Sequence, residues 1–126
     1  MYFVSRLQKF YGTSIAVNEE VYKSLTDDVC ARPLDILRVV GKTEGTSVFE
    51  IIGKKDTLAE DTLRSIKVYE EAIKAYRNFD FLHARELFVQ ALSLKPNDGP
   101  STVYVSRCTE YLTKAPNDLI FNMTSK

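Results

Sequence analysis

The sequence predicts an α+β fold: a small three-stranded antiparallel sheet with short helices, packed with a three-helix tail. Two observations carry this. Composition changes near residue 56, from short apolar runs separated by turn formers to long charged stretches with apolar residues at helical spacing. Three strands and a short helix also make too thin a layer to bury both sheet faces, so the second half is needed as a cover. The division is therefore residues 1–55, an α/β segment, and residues 56–126, a helical segment with an extended C-terminal tail.

Along the first half, Phe3, Leu7 and Phe10 recur at three- and four-residue steps, which predicts a short amphipathic helix stopped by Gly12. "TSIAV" (13–17) reads as a buried strand. Asn18 is placed to cap a short helix, "EEVYKSL", with Glu19 and Glu20 in its first turn. "RPLDILRVV" and "TSVFEII" flank "GKTEG" as two strands of a hairpin, with Gly41 and Gly45 as turn glycines.

In the second half, Leu63, Ile66, Tyr69, Ile73 and Tyr76 mark one helix. Leu82, Leu87, Ala91 and Leu94 mark the next, which Pro96 stops. "GPSTVYVSRCTEYLTK" opens a third with Pro100 near its N-terminus, where the missing N–H costs nothing. The tail "APNDLIFNMTSK" is expected to be extended, with Leu119, Ile120 and Phe121 free to tuck against a helix.

Several function classes are excluded early. The 126 residues carry 17 basic and 17 acidic side chains, so no net field attracts nucleic acid or an anionic membrane. No segment approaches the roughly 20 apolar residues of a membrane span. Arg6 and Lys9 interrupt the apolar run that a signal peptide needs, and Cys30 and Cys108 form no CxxC pair. A reduced, cytoplasmic protein is expected. "GKT" is not a phosphate-binding loop, because Ile36 stands where its first glycine belongs and no helix follows. His83, the sole histidine, has no Cys or His at ligand spacing, so neither a metal site nor a catalytic triad is expected. Adjacent Asp27 and Asp28 read as solvated helix-end carboxylates.

Counted in a 34-residue frame from Ser65, the helical half resembles a tetratricopeptide repeat. Ala72, Tyr76, Phe81, Ala84-x3-Phe88, Ala91 and Pro96 fall on the repeat's small, aromatic and proline positions. One repeat cannot bury its own apolar face, so the first half is expected to supply the missing surface. The resemblance implies that Tyr69, Ile73, Tyr76 and Arg77 line a concave, partner-binding face; core packing is the alternative reading for the aromatics.

The first half, "YFVSRLQKFYGTSIAV" and then "RVVGKTEGTSVFEII", resembles the C-terminal end of a class III adenylyl/guanylyl cyclase homology domain. In that family an N-x-x-x-R helix leads to "YGT", a strand and a closing hairpin similar to "RVKGKTEPVxVYEL", the end of a ferredoxin-like domain. Many bacterial members continue into a helical extension containing "NDGPSxxYxxRC", present here as Asn97 to Cys108. The resemblance implies that the two metal-binding aspartates lie upstream of the N-x-x-x-R helix, at which this chain begins. It places the transition-state asparagine on Tyr2, its partner arginine on Arg6 and a phosphate-contacting lysine on Val40.

Without those fixed positive groups little would stabilise charge on a transferred phosphate. No catalytic residue set is intact, and no cofactor, metal or nucleotide binding is expected. Arg6 and Lys42 are the candidate phosphate-binding residues, each weighed against a solvated surface role. The leading expectation is a non-catalytic interaction or regulatory module with a protein partner or a second copy of itself, favoured by exposed sheet edge and apolar surface. The alternative is the C-terminal fragment of a longer, active class III adenylate cyclase; a degenerate remnant is a third reading.

Overall fold

A computed structural model describes residues 15–38 and 44–122. Strand β1 (Ala16–Asn18) runs directly into helix α1 (Glu19–Lys23). Asn18 makes the join, its side-chain oxygen accepting the Val21 N–H at 3.0 Å, with Glu19 and Glu20 in the electropositive first turn. From α1, Tyr22 stacks on Phe49 with ring centroids 3.9 Å apart.

Strands β2 (Val29–Arg38) and β3 (Thr46–Lys54) pair antiparallel, as the hairpin reading expects. Pro33 has no N–H to give the ladder, and it sits where the register shifts between Pro33 and Asp35. That bulge turns two consecutive side chains, Leu34 and Asp35, inward. Gly45 precedes β3 where Cβ would meet Ile36 Cγ2 at 2.7 Å and Ile120 at 3.2 Å. Ile36 is β-branched and stiff, so Gly45→Ala is expected to cost about 1–2 kcal/mol, read as a lower urea midpoint with unchanged slope. Gly41, the other proposed turn glycine, lies outside the described residues.

The sheet corrects the three-stranded antiparallel expectation. Among the described residues it has four strands in the order β1-β3-β2-β4, and β4 (Phe121–Asn122) pairs parallel to β2 at Leu37 and Arg38. A parallel neighbour needs a long crossover, and the helical tail supplies it. The tail thus pairs with the sheet as well as meeting the helices, Leu119 packing on the helical core and Phe121 against Arg107 of the last helix. Of the expected strand 13–17, Thr13 and Ser14 lie outside the described residues, Ile15 is 50% exposed and Ala16 is buried. Among the described residues its strand partner is β3.

Helices α2 (Glu60–Arg77), α3 (Phe81–Leu94) and α4 (Gly99–Thr113) match the periodic segments. Asp80 caps α3 by accepting the His83 N–H at 3.3 Å, and Pro100 lies in the first turn of α4. Ala72, Ala84 and Ala91 are fully buried, so the helix axes approach closely. Ser65 then reaches across, its hydroxyl donating to the Ala91 carbonyl at 3.1 Å. Tyr69, Tyr76, Phe88 and Tyr104 fill the rest as stacked and edge-on rings, Phe88 lying flat on Tyr104 at 4.8 Å. A second cluster, Ala16, Leu34, Leu37 and Val48, is covered by Val103 of α4 and by Phe121. Among the described residues, no helix is long and apolar enough to cross a membrane.

Candidate functional site

The most elaborate chemistry lies in the seam where α2 and α4 meet strand β2. Leaving a backbone carbonyl dry and unbonded is costly, and two tyrosines answer for β2. Tyr69 donates its hydroxyl to the Pro33 carbonyl at 2.8 Å, and Tyr104 donates to the Leu34 carbonyl at 2.6 Å.

Arg32 projects from β2 and is 2% exposed. Its planar fork binds Asp98 through two bonds, of 2.6 and 3.0 Å, while Nε donates to Glu50 at 2.8 Å. The Tyr69 ring lies 4.5 Å from the guanidinium carbon. Asp98 is at once this partner and the cap of α4, accepting the Ser101 N–H at 3.3 Å and the Ser101 hydroxyl at 2.5 Å. A second pair lies further along the same seam. Arg107 of α4 donates to Asp35 at 2.9 Å and to the Tyr76 hydroxyl at 3.4 Å, and its guanidinium packs on Tyr104 and Phe121.

The two carboxylates on Arg32 are not equivalent. Burial works against the ionised form of Asp98, but hydrogen bonds from Arg32 and Ser101 outweigh it and hold its carboxyl below the usual range. For Glu50 burial wins, only partly offset by Arg32, and its carboxyl is raised. Burial would lower Arg32, yet the Asp98 bond and surrounding negative charge keep it firmly protonated. These groups satisfy one another, so the seam holds two elements together rather than presenting a nucleophile or base.

Both thiols are buried and held away from the thiolate form. Cys108 is fully buried and pushed up to about 11 by burial, and Cys30, also buried, is raised for the same leading cause. Since the thiolate is the reacting species, iodoacetamide at pH 8 is expected to leave both unmodified in the folded chain and to label both in urea. Mass spectrometry counts the adducts.

A cleft of about 630 Å³ opens between α1, the start of β2 and α2, with Tyr22, Cys30 and Ile66 on its walls and Lys55, Lys67 and Glu70 among its polar lining. Among the described residues no group of three or more His, Cys, Asp or Glu is placed to hold a metal ion.

The sequence-predicted site residues separate sharply. Tyr2, Arg6, Val40 and Lys42 lie outside the described residues. Of the four on the expected concave face, Tyr69, Ile73 and Tyr76 are buried, and only Arg77 is exposed. Tyr69 meets the Pro33 carbonyl of β2, and Tyr76 meets Tyr104 and Arg107 of α4. Arg32, Asp35 and Glu50 were not singled out. Their signal was two opposite charges, Arg32 and Asp35, inside an otherwise apolar strand. Asp98, Ser101, Tyr104, Arg107 and Cys108, by contrast, all belong to the Asn97–Cys108 motif.

Over 109 residues the chain is 24% identical to the adenylate cyclase, terminal-differentiation specific, of Dictyostelium discoideum. The match takes in 83% of this chain and 5% of that protein, so the chain spans a small part of the curated relative's length. It is weak, and it supports a cyclase-related segment. No family model matches, and no solved structure matches.

Proposed function

We propose that this chain is a non-catalytic, cytoplasmic interaction or regulatory module related to the C-terminal end of a nucleotide cyclase. In this reading the helical tail is a rigid projection locked to the closing hairpin. One observation carries it: the buried side chains of the Asn97–Cys108 motif cluster at the contact with β2. The motif is then a clasp, and its residues hold an orientation rather than a ligand. Burial of Ala72, Tyr76, Phe81, Ala84, Phe88 and Ala91 between helices supports a tetratricopeptide-like pairing in which the sheet replaces further repeats. Tyr2 and Val40, where cyclases carry polar and cationic groups, support the absence of turnover.

The test is direct. Purified chain incubated with ATP or GTP and Mn²⁺ should form no cyclic nucleotide, and calorimetric titration with Mn²⁺–ATP should be silent. Cyclic product, or micromolar binding lost on replacing Arg6, contradicts the proposal. The second reading is a C-terminal fragment of a longer active cyclase, favoured by the match covering so little of its relative. An in-frame upstream segment bearing the two metal-binding aspartates would select it, and the clasp would then belong to that enzyme.

A further inference from the structure

The stripe of α2 that borders the start of β2 runs Leu63, Ile66, Lys67, Glu70, the i, i+3, i+4, i+7 steps of one helix face. Seven residues after Ile66 stands buried Ile73, as that pattern requires. Seven residues after Leu63, however, stands a carboxylate. Glu70 lines the cleft of about 630 Å³ between α1, the start of β2 and α2, a size common among small-molecule sites.

This carboxylate is half-buried, and burial raises it above the ordinary range. Among the described residues it makes no hydrogen bond or close ion pair: Lys74, Arg32 and Lys55 act on it only through space. Arg32 is already committed to Asp98 and Glu50. An acceptor partly stripped of water without a donor is costly, so a ligand's donor gains most there. Two cations share the lining. Lys67, one turn before Glu70, and Lys55, just after β3, likewise form no ion pair among the described residues. Lys23 is engaged with Glu19, and Asp27, in the turn after α1, is the other acid.

The cleft therefore offers a desolvated anion, two uncommitted cations and an apolar wall of Tyr22, Leu63 and Ile66. A simple amine would be repelled by the lysines, and a simple acid would leave Glu70 unsatisfied. A small molecule carrying both an ammonium and a carboxylate group matches both signs.

We propose that this cleft binds a free amino acid with a large apolar side chain, its ammonium group on Glu70, its carboxylate on Lys55 and Lys67, and its side chain against Tyr22, Leu63 and Ile66. The site is separate from the clasp and does not rest on the non-catalytic reading. A dissociation constant of about 0.1–1 mM is expected for so small a ligand.

Titration of the whole chain with L-leucine to about 20 mM, followed by amide NMR shifts, tests the proposal. Saturable shifts are expected around Cys30, Ile66 and Glu70. Isoamylamine, which lacks the carboxylate, and isocaproate, which lacks the amine, should each bind at least about tenfold more weakly. Glu70→Gln should weaken leucine about tenfold and leave isocaproate unchanged, whereas a collapsed cleft would lose both. Replacing Lys55 and Lys67 with Met should weaken leucine without weakening isoamylamine. Affinity should also fall as pH drops through the raised value of Glu70, because the neutral acid no longer holds an ammonium group. Glu70→Gln should remove that dependence; its persistence would assign the titration to Asp27 and contradict the site. Absence of saturable shifts overturns the proposal, as do equal affinities for all three compounds or indifference to Glu70→Gln.

Discussion

Asp98→Ala is expected to lower the unfolding free energy by about 3–5 kcal/mol, the range for removing one partner of a buried ion pair. The side chain serves two elements at once. It neutralises Arg32 through two short bonds and caps α4 through Ser101, both almost out of water. Arg32 would keep only Glu50, whose own carboxyl is already raised by burial. Glu50→Gln should therefore cost less, because Arg32 keeps its bidentate partner. Urea unfolding followed by circular dichroism ranks the two variants. The sign of the pH dependence follows from Asp98. A carboxyl lowered in the folded state contributes stability that is complete above its unfolded value, about 3.9, and is lost as pH falls through the folded one. The gap between wild type and Asp98→Ala should thus narrow below about pH 4. Glu50 has the opposite sign: its raised carboxyl favours the folded state at low pH, and this contribution falls away as pH rises through the folded value.

Arg107→Ala should cost about 3–5 kcal/mol for the same reason, with a different local signature. Arg107 gives Asp35 a charged partner inside the seam and lies 4.4 Å from the Phe121 ring centroid. Removing it withdraws a donor from a buried carboxylate and the surface on which β4 rests. Limited proteolysis should then cut the variant between Thr113 and Phe121 faster than wild type, before the helices open. Arg107→Lys should rescue little, since an ammonium cannot reproduce the flat contact with two rings.

The helices were legible because the information is local. Apolar residues at three- and four-residue steps set their faces, and Asn18 and Pro100 marked two starts where the structure places them. The hairpin was legible in its two β-rich runs. Strand β4 was not, since two residues have no period, and their pairing depends on Leu37, more than 80 positions earlier. The seam was half legible. Asn97–Cys108 stood out as a motif, but its receiving surface did not. Whether Arg32 is buried depends on Asp98, 66 residues away, and strand alternation cannot encode that. Tyr69, Ile73 and Tyr76 show the converse limit. Helical spacing places them on a common face, and only the fold reveals that Tyr69 meets β2 and Tyr76 meets α4.

The central claim is that the clasp makes sheet and helical tail one cooperative unit. Native-state amide hydrogen exchange on wild type and Asp98→Ala tests this most directly. Protection in β2 and β3 is expected to fall together with that in α2 and α4, by a common free energy, although the substitution touches the sheet only through Arg32. Loss confined to the first turns of α4, with β2 and β3 exchanging as in wild type, would contradict it.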